Sequence, residues 1–139
     1  MAVVTELFRS EDNGTLSFGD YTLAQKAKKG DIQFEGDIYK IKTFNEITKL
    51  EKNGMFVYES VPGTAVHGFR SSEEDVSFIV EGTETSSITL ELEPETDYKI
   101  HIDDIYVGKN KTNLGGKLSI SVDLEPGREV KVDVRKAFD

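Results

Sequence analysis

The sequence predicts an all-β protein made of two small antiparallel β lobes, and three observations support this prediction. Apolar and polar residues alternate with a period of two along most of the chain, as in strands with one buried face. No window of about 15 residues keeps the 3.6-residue apolar period of an amphipathic helix. The 139 residues include 12 glycines and no cysteine, so turns are frequent and no disulfide can support the fold. Packed sheets must therefore hold the structure together.

Two short hairpins are predicted in the first part of the chain. Each joins two apolar-alternating segments around a Gly-Asp turn: 16–18 with 21–23 around Gly19-Asp20, and 32–34 with 39–41 around Gly36-Asp37. Glycine suits such turns because it adopts positive φ angles without steric cost. Between the hairpins, the segment AQKAKKG at 24–30 is predicted as a short helix.

The strongest hairpin signal is Asn53-Gly54, since both central residues of a type I′ turn need positive φ. It follows the segment 44–52, which fits either a helix or a strand. It precedes a strand in which Val57 is expected to face the core. We expect Val61-Pro62-Gly63 to end that strand, because proline donates no ladder hydrogen bond. The next hairpin crosses the polar loop 71–75, and its strands oppose Ala65, His67 and Phe69 to Val76, Phe78 and Val80.

The longest stretch without a large apolar side chain is EGTETSS at 81–87, and we place a lobe boundary there. The first lobe then comprises residues 1–83 and the second residues 84–139. Four strands of the second lobe carry their large apolar residues on one face: Ile88, Leu90 and Leu92; Tyr98, Ile100 and Ile102; Leu118, Ile120 and Val122; Val130, Val132 and Val134. Such faces must pack on another layer, which predicts a sandwich-like lobe.

Leu92, Pro94 and Tyr98 have the spacing Leu-x-Pro-x-Thr-x-Tyr. This segment resembles the tyrosine corner of fibronectin type III and immunoglobulin-like sandwiches. The resemblance implies that the three residues are structural and that the Tyr98 hydroxyl bonds to the backbone a few residues upstream.

The net charge and the N-terminal sequence pattern restrict the expected partners and location of the protein. The net charge is −9, with 26 acidic and 17 basic residues. Such a chain repels phosphate backbones and anionic headgroups, so we expect neither a nucleic-acid nor a membrane partner. The densest basic cluster, Lys26, Lys28 and Lys29, is interpreted as a solvated turn. The chain shows no signal-peptide pattern and no cysteine, which predicts a cytoplasmic protein.

No catalytic or metal-binding constellation is predicted. The two histidines, His67 and His101, belong to different lobes, which argues against a Ser-His-Asp triad and a zinc site. Asp103-Asp104 fits a hairpin turn rather than a calcium loop. Gly115-Gly116 precedes a strand instead of a helix, so it is no phosphate loop. We therefore expect no catalytic residue, no metal and no cofactor.

A surface patch of Tyr58, His67 and Arg70 is the predicted binding site. Tyr58 alternates with Val57 and stands near the Val61-Pro62-Gly63 corner, so an outward ring would offer a stacking platform. We predict a non-catalytic binding or assembly module with a protein or carbohydrate partner. A structural homo-oligomer is an alternative.

The segments LSFGDYTL, TFNEITKLEKNGMFVYESVPGT and LELEPETDYKI also resemble short bacterial proteins that carry the label endosialidase. That resemblance implies a glycan-active protein as a further alternative. Sialidase catalysis itself is not expected, since propeller blades of about 40–50 residues could not close a ring within this length. The resemblance also implies a cluster of arginines that clamps the substrate carboxylate, whereas the four arginines of this chain, Arg9, Arg70, Arg128 and Arg135, are spread over both lobes.

Overall fold

The computed structural model describes residues 3–138, and within this range it contains thirteen β-strands and no helix. The all-β prediction is confirmed. The strands are β1 (Phe8–Ser10), β2 (Leu16–Phe18), β3 (Ala27–Phe34), β4 (Asp37–Thr43), β5 (Thr48–Lys52), β6 (Met55–Val61), β7 (Ala65–Ser71), β8 (Asp75–Glu81), β9 (Ser86–Glu91), β10 (Asp97–Ile102), β11 (Ile105–Lys111), β12 (Lys117–Val122) and β13 (Val130–Lys136). Nothing in residues 3–138 forms a helix that could cross a membrane.

The strands form two antiparallel sheets in a sandwich-like arrangement. Sheet A has the order β1-β2-β7-β8-β13-β10-β11, and sheet B has the order β12-β9-β6-β5-β4-β3. One cluster of buried apolar side chains lies between them. At its centre the Tyr58 ring of sheet B meets the Phe18 and Phe78 rings of sheet A edge-on, at centroid distances of 5.3 and 5.6 Å. Burial of such side chains is the main force that holds the two sheets together.

Each sheet contains strands from both sides of residue 83. In sheet A, β8 pairs with β13, and in sheet B, β6 pairs with β9. The chain passes from one sheet to the other several times, so the two predicted ranges share both sheets and the core. The division into a lobe of residues 1–83 and a lobe of residues 84–139 stays a prediction.

The turn chemistry predicts most hairpins correctly. Asn53 and Gly54 both have positive φ, at 53° and 83°, and join β5 to β6. Hairpins also join β3 to β4 and β7 to β8 at the predicted positions. The four apolar strand faces predicted in the second half are confirmed as core faces. Their large residues are buried, except for Leu92 and Ile102, which are partly buried against the core.

The helix predicted at 24–30 is wrong, because residues 27–34 form the edge strand β3. An isolated helix of seven residues is only marginally stable, whereas pairing with β4 gives Ala27, Lys28 and Lys29 a place in a sheet. The ambiguous segment 44–52 ends in a strand, β5.

The hairpin predicted around Gly19 is also wrong. Strand β2 pairs with β1 and β7, and residues 21–23 belong to no strand. Gly19 has a φ of 99°, and a Cβ there would lie 2.4 Å from the Thr64 carbonyl oxygen. The glycine therefore permits a close approach between two chain segments rather than a tight reversal.

The tyrosine-corner hydrogen bond is present. The Glu93 amide donates to the Tyr98 hydroxyl at 3.2 Å, and the Tyr98 side chain is buried. Thr112 braces the same corner, since its Oγ1 donates to the Glu93 carbonyl at 2.5 Å and accepts from the Thr96 amide at 2.9 Å. This connection fixes the chain where it passes from β9 to β10; Leu92 is partly buried against the core and Pro94 is exposed.

Candidate functional site

Tyr58 lies in the core, so its predicted surface position is wrong. A bulge between Leu50 and Glu51 shifts the register of the β5–β6 hairpin and pairs Leu50 with Tyr58. The Tyr58 side chain has no exposed surface, and its hydroxyl bonds to Thr64 Oγ1 at 2.7 Å. Burial raises the pKa of the Tyr58 phenol. Alternation counted from the turn cannot reveal such a bulge, because one extra residue inverts the phase.

His67 and Arg70 border a depression on the outer side of sheet A, and Arg70 also reaches the end of the space between the sheets. His67 is buried opposite Ile79, and Arg70 is exposed near the end of β7, where its Nη2 lies 3.5 Å from the Asn13 carbonyl oxygen. The two side chains border one shallow depression. The structure thus brings together two of the three predicted residues, and their binding role stays a prediction.

A cleft of about 160 Å³ lies between the sheets, at the end of the sandwich that carries the β3–β4, β5–β6 and β7–β8 turns. Its floor is apolar and is formed by Leu16, Phe34, Tyr39, Val57, Phe69 and Val76. Its rim is polar and is formed by Glu35, Asp37, Lys52, Arg70, Ser71 and Glu91. Arg70 is the only one of the three predicted binding residues that borders this cleft.

Aromatic rings shape the floor of the cleft. The Tyr39 ring packs 5.4 Å from the Phe8 ring and 6.4 Å from the Phe34 ring. Phe34 is partly buried and keeps part of its surface towards the cleft. Burial raises the pKa of Tyr39, and the carboxylates of Asp37 and Glu35 raise it further. Its hydroxyl therefore stays protonated and can donate a hydrogen bond.

The rim combines fixed charges of both signs. Asp37 accepts from Asn53 Nδ2 at 2.8 Å, and Lys52 Nζ lies 3.5 Å from its other oxygen. The Asn53 hydrogen bond, with Lys52 in support, lowers the pKa of Asp37. Asp37 is therefore held as a carboxylate, available as an acceptor at the cleft mouth.

The side chains opposed to His101 do not have the order of a catalytic triad. Ser77, Asp133 and His101 occupy directly opposed positions on β8, β13 and β10. Asp133 stands between the other two, whereas a triad requires the histidine in the middle to relay the proton. Within residues 3–138, no group of three His, Asp or Glu side chains is arranged to hold a metal ion.

A second polar feature, which sequence reasoning missed, is a group of lysines on the outer face of sheet B. Lys28, Lys42 and Lys49 occupy directly opposed positions on β3, β4 and β5. Together with Lys40 and Glu51 they line a shallow depression of about 80 Å³. The signal was present in the sequence as Lys40 and Lys42 on alternate positions of β4, but the strand register was needed to join them to the others.

The lysines act on each other electrostatically. Burial lowers the pKa of Lys42, the charges of Lys26, Lys49 and Lys28 lower it further, and the charge of Glu59 opposes them. Lys49 has two acidic neighbours: its Nζ lies 3.4 Å from a carboxylate oxygen of Glu51, and Glu59 occupies the directly opposed position on β6. We call Lys26, Lys28, Lys40, Lys42 and Lys49 the lysine face.

Comparisons of this chain with protein-family models, with curated proteins and with solved structures find no match. The resemblances to immunoglobulin-like sandwiches and to proteins labelled endosialidase therefore stay predictions.

Proposed function

We propose that this protein is a non-catalytic binding module that takes one ring of a neutral glycan in the cleft. The observation that carries the proposal is the pairing of an aromatic and aliphatic floor with a rim of carboxylates and an arginine. A sugar ring presents an apolar C–H face and a belt of hydroxyls, so its recognition needs both kinds of surface. The cleft volume of about 160 Å³ suits a single six-membered ring, since a cavity of about 150 Å³ holds benzene.

The rim charges favour a neutral ligand. Glu35, Asp37 and Glu91 contribute three carboxylates against the two cations Lys52 and Arg70. An anionic sugar would meet excess negative charge, whereas hydroxyl groups can donate to the carboxylates and accept from Arg70. A protein partner needs about 800 Å² on each side, which is far more than this small concavity offers.

Asp37 at the cleft mouth does not have the property that glycoside hydrolysis requires of its acid. That reaction needs a carboxyl group with a raised pKa to protonate the leaving oxygen. The pKa of Asp37 is shifted in the opposite direction. This supports binding over the glycan-active alternative that the resemblance to endosialidase-labelled proteins implies.

Calorimetric titration with neutral oligosaccharides tests the proposal. We expect one of a panel of malto-, cello- and chito-oligosaccharides to bind, and Arg70→Gln or Glu91→Gln to weaken it about tenfold, because each removes a charged hydrogen-bonding group. The matched controls are Arg135→Gln on the outer face of sheet A and Glu125→Gln at the opposite end of the sandwich, which should keep wild-type affinity. Equal affinity in all four variants would rule out the cleft as the site.

A second candidate function is self-assembly through β11. This edge strand of sheet A exposes Ile105, Tyr106 and Val107, each by more than half of its surface. An exposed apolar edge is a template for pairing with another strand. The β11 strands of two copies could pair antiparallel with Gly108 at the centre of symmetry. Val107 of one copy would then lie opposite Lys109 of the other, and no two lysines would face each other.

Light scattering at high concentration tests this assembly. We expect a dimer that Val107→Lys dissociates, because the new lysine would face Lys109 of the second copy. Leu114→Lys is the matched control, since Leu114 is 81% exposed but follows β11 in a loop. A monomeric wild-type protein, or dissociation by both variants, would contradict self-assembly through β11.

A further inference from the structure

We propose that the lysine face is a second binding site and that its ligand is a linear acidic polysaccharide. The site goes beyond the glycan cleft, because it lies on the outer face of sheet B and carries the opposite charge. Ile41 and Leu50 are fully buried between the sheets. Side chains alternate along a strand, so Lys40, Lys42 and Lys49 face outwards.

The lysine face is electrostatically unfavourable in the free protein. Like charges on directly opposed strand positions are destabilising, and Lys42 has one such neighbour on each side, Lys28 and Lys49. The chain has 26 acidic residues, yet the depression contains only Glu51 beside its four lysines, and Glu59 lies opposite Lys49 at one end of the row. An anionic ligand would reduce this repulsion, and its binding would explain why three lysines occupy opposed positions.

The direction of the row argues against an added peptide strand. Lys28, Lys42 and Lys49 run across three strands, whereas a peptide that extends a sheet runs along its edge. The edge strand β3 is also irregular, with a register shift between Lys29 and Ile32 and a positive φ of 53° at Asp31. Such bulges hinder strand addition. A ligand that needs no backbone pairing fits this surface better.

The size of the face favours a narrow chain. Neighbouring strands lie about 4.8 Å apart, so the row of three lysines is about 10 Å long. Salt screens charges beyond about 8 Å under physiological conditions, so the row attracts an anion that lies close to it. Without the five lysines, the net charge would fall from −9 to −14. A membrane or a DNA duplex would bring a wide anionic surface close to the acidic remainder of the protein, whereas a single polysaccharide chain would contact mainly the lysine face.

Single-stranded nucleic acid is disfavoured for a different reason. Its binding depends on open aromatic rings on which bases stack. The aromatic residue that pairs with Glu51 is Phe56, and Lys117 Nζ covers its ring at 5.1 Å. The Phe44 ring is approached in the same way by Lys26 Nζ at 6.0 Å.

The test is a titration of the full chain with a hexamer of galacturonic acid, and with its methyl-esterified, uncharged form. We expect the acidic hexamer to bind with an affinity that falls as salt is added, and the ester to bind at least tenfold more weakly. The triple variant Lys28→Gln, Lys42→Gln, Lys49→Gln should reduce affinity for the acidic hexamer at least tenfold. Its melting temperature should stay close to that of the wild type, since the relief of repulsion among three lysines offsets the loss of the Lys49–Glu51 ion pair.

The matched control removes the same charge from sheet A through Lys99→Gln, Lys109→Gln and Lys111→Gln, and should keep wild-type affinity. Arg70→Gln in the cleft should also leave the hexamer affinity unchanged, which separates this site from the proposed function. Equal losses in both triple variants, or equal binding of hexamer and ester, would overturn the proposal. Binding of polyglutamate, oligo-dT, duplex DNA or anionic phosphatidylserine vesicles as tight as that of the hexamer would overturn the polysaccharide class.

Discussion

Alanine in place of Gly63 is expected to lower the free energy of unfolding by about 3 kcal/mol, through overpacking against backbone. A Cβ at this position would lie 2.1 Å from the Phe44 carbonyl oxygen. The two segments cannot separate easily, because the Gly63 amide donates to the Asn45 carbonyl at 3.0 Å. This contact holds the connection between β6 and β7, where the chain passes from sheet B to sheet A. Urea unfolding followed by circular dichroism measures the loss.

Gly115→Ala is the control for this prediction. The nearest atom to its Cβ would be Asn113 Oδ1 at 3.5 Å, an ordinary contact. We expect a change within about 0.5 kcal/mol, as for most surface substitutions. Near-native stability of Gly63→Ala would show that the 44–45 and 63 segments do not touch, and the crossing described for β6 and β7 would be wrong.

Thr64→Val is expected to lower the free energy of unfolding by about 2 kcal/mol, although the two side chains have nearly the same shape. Thr64 Oγ1 bonds to the Tyr58 hydroxyl at 2.7 Å and to Ser60 Oγ at 2.8 Å, and all three residues are fully buried. Valine would leave both hydroxyls without this partner in a site that excludes water. Thermal and urea unfolding provide the measurement.

Thr89→Val is the matched control, since Thr89 Oγ1 makes a similar bond of 2.9 Å to Ser119 Oγ on the exposed face of sheet B. There water can replace the lost partner, so the change should stay within about 0.5 kcal/mol. The double variant Tyr58→Phe, Thr64→Val should lose less than the sum of its single variants, because the groups form one network. Equal losses at positions 64 and 89 would contradict the buried network.

The strands and most hairpins follow from local chemistry, which the sequence displays directly. Asn53-Gly54 can only be a turn of positive φ, and the alternation of Val130, Val132 and Val134 with polar residues needs one buried face. Such signals depend on neighbouring residues. The order of strands in each sheet depends on pairings between distant segments, for which no comparable pattern exists.

The candidate sites were harder to predict because they depend on register. Because of a single register shift between Leu50 and Glu51, Tyr58 lies in the core and not at the predicted surface position. The cleft is formed by residues that are far apart in the chain, so the sequence predicts Arg70 alone among the residues of its rim. The lysine face likewise needs three paired strands before its charges meet.

Backbone NMR of the labelled protein, titrated with the neutral oligosaccharide that binds, tests the central claim most directly. The account predicts shift changes centred on Tyr39, Arg70 and Glu91, while the oligosaccharide in the same sample stays intact. New reducing ends in that sample would contradict a non-catalytic role, and shift changes centred away from the cleft mouth would contradict the site.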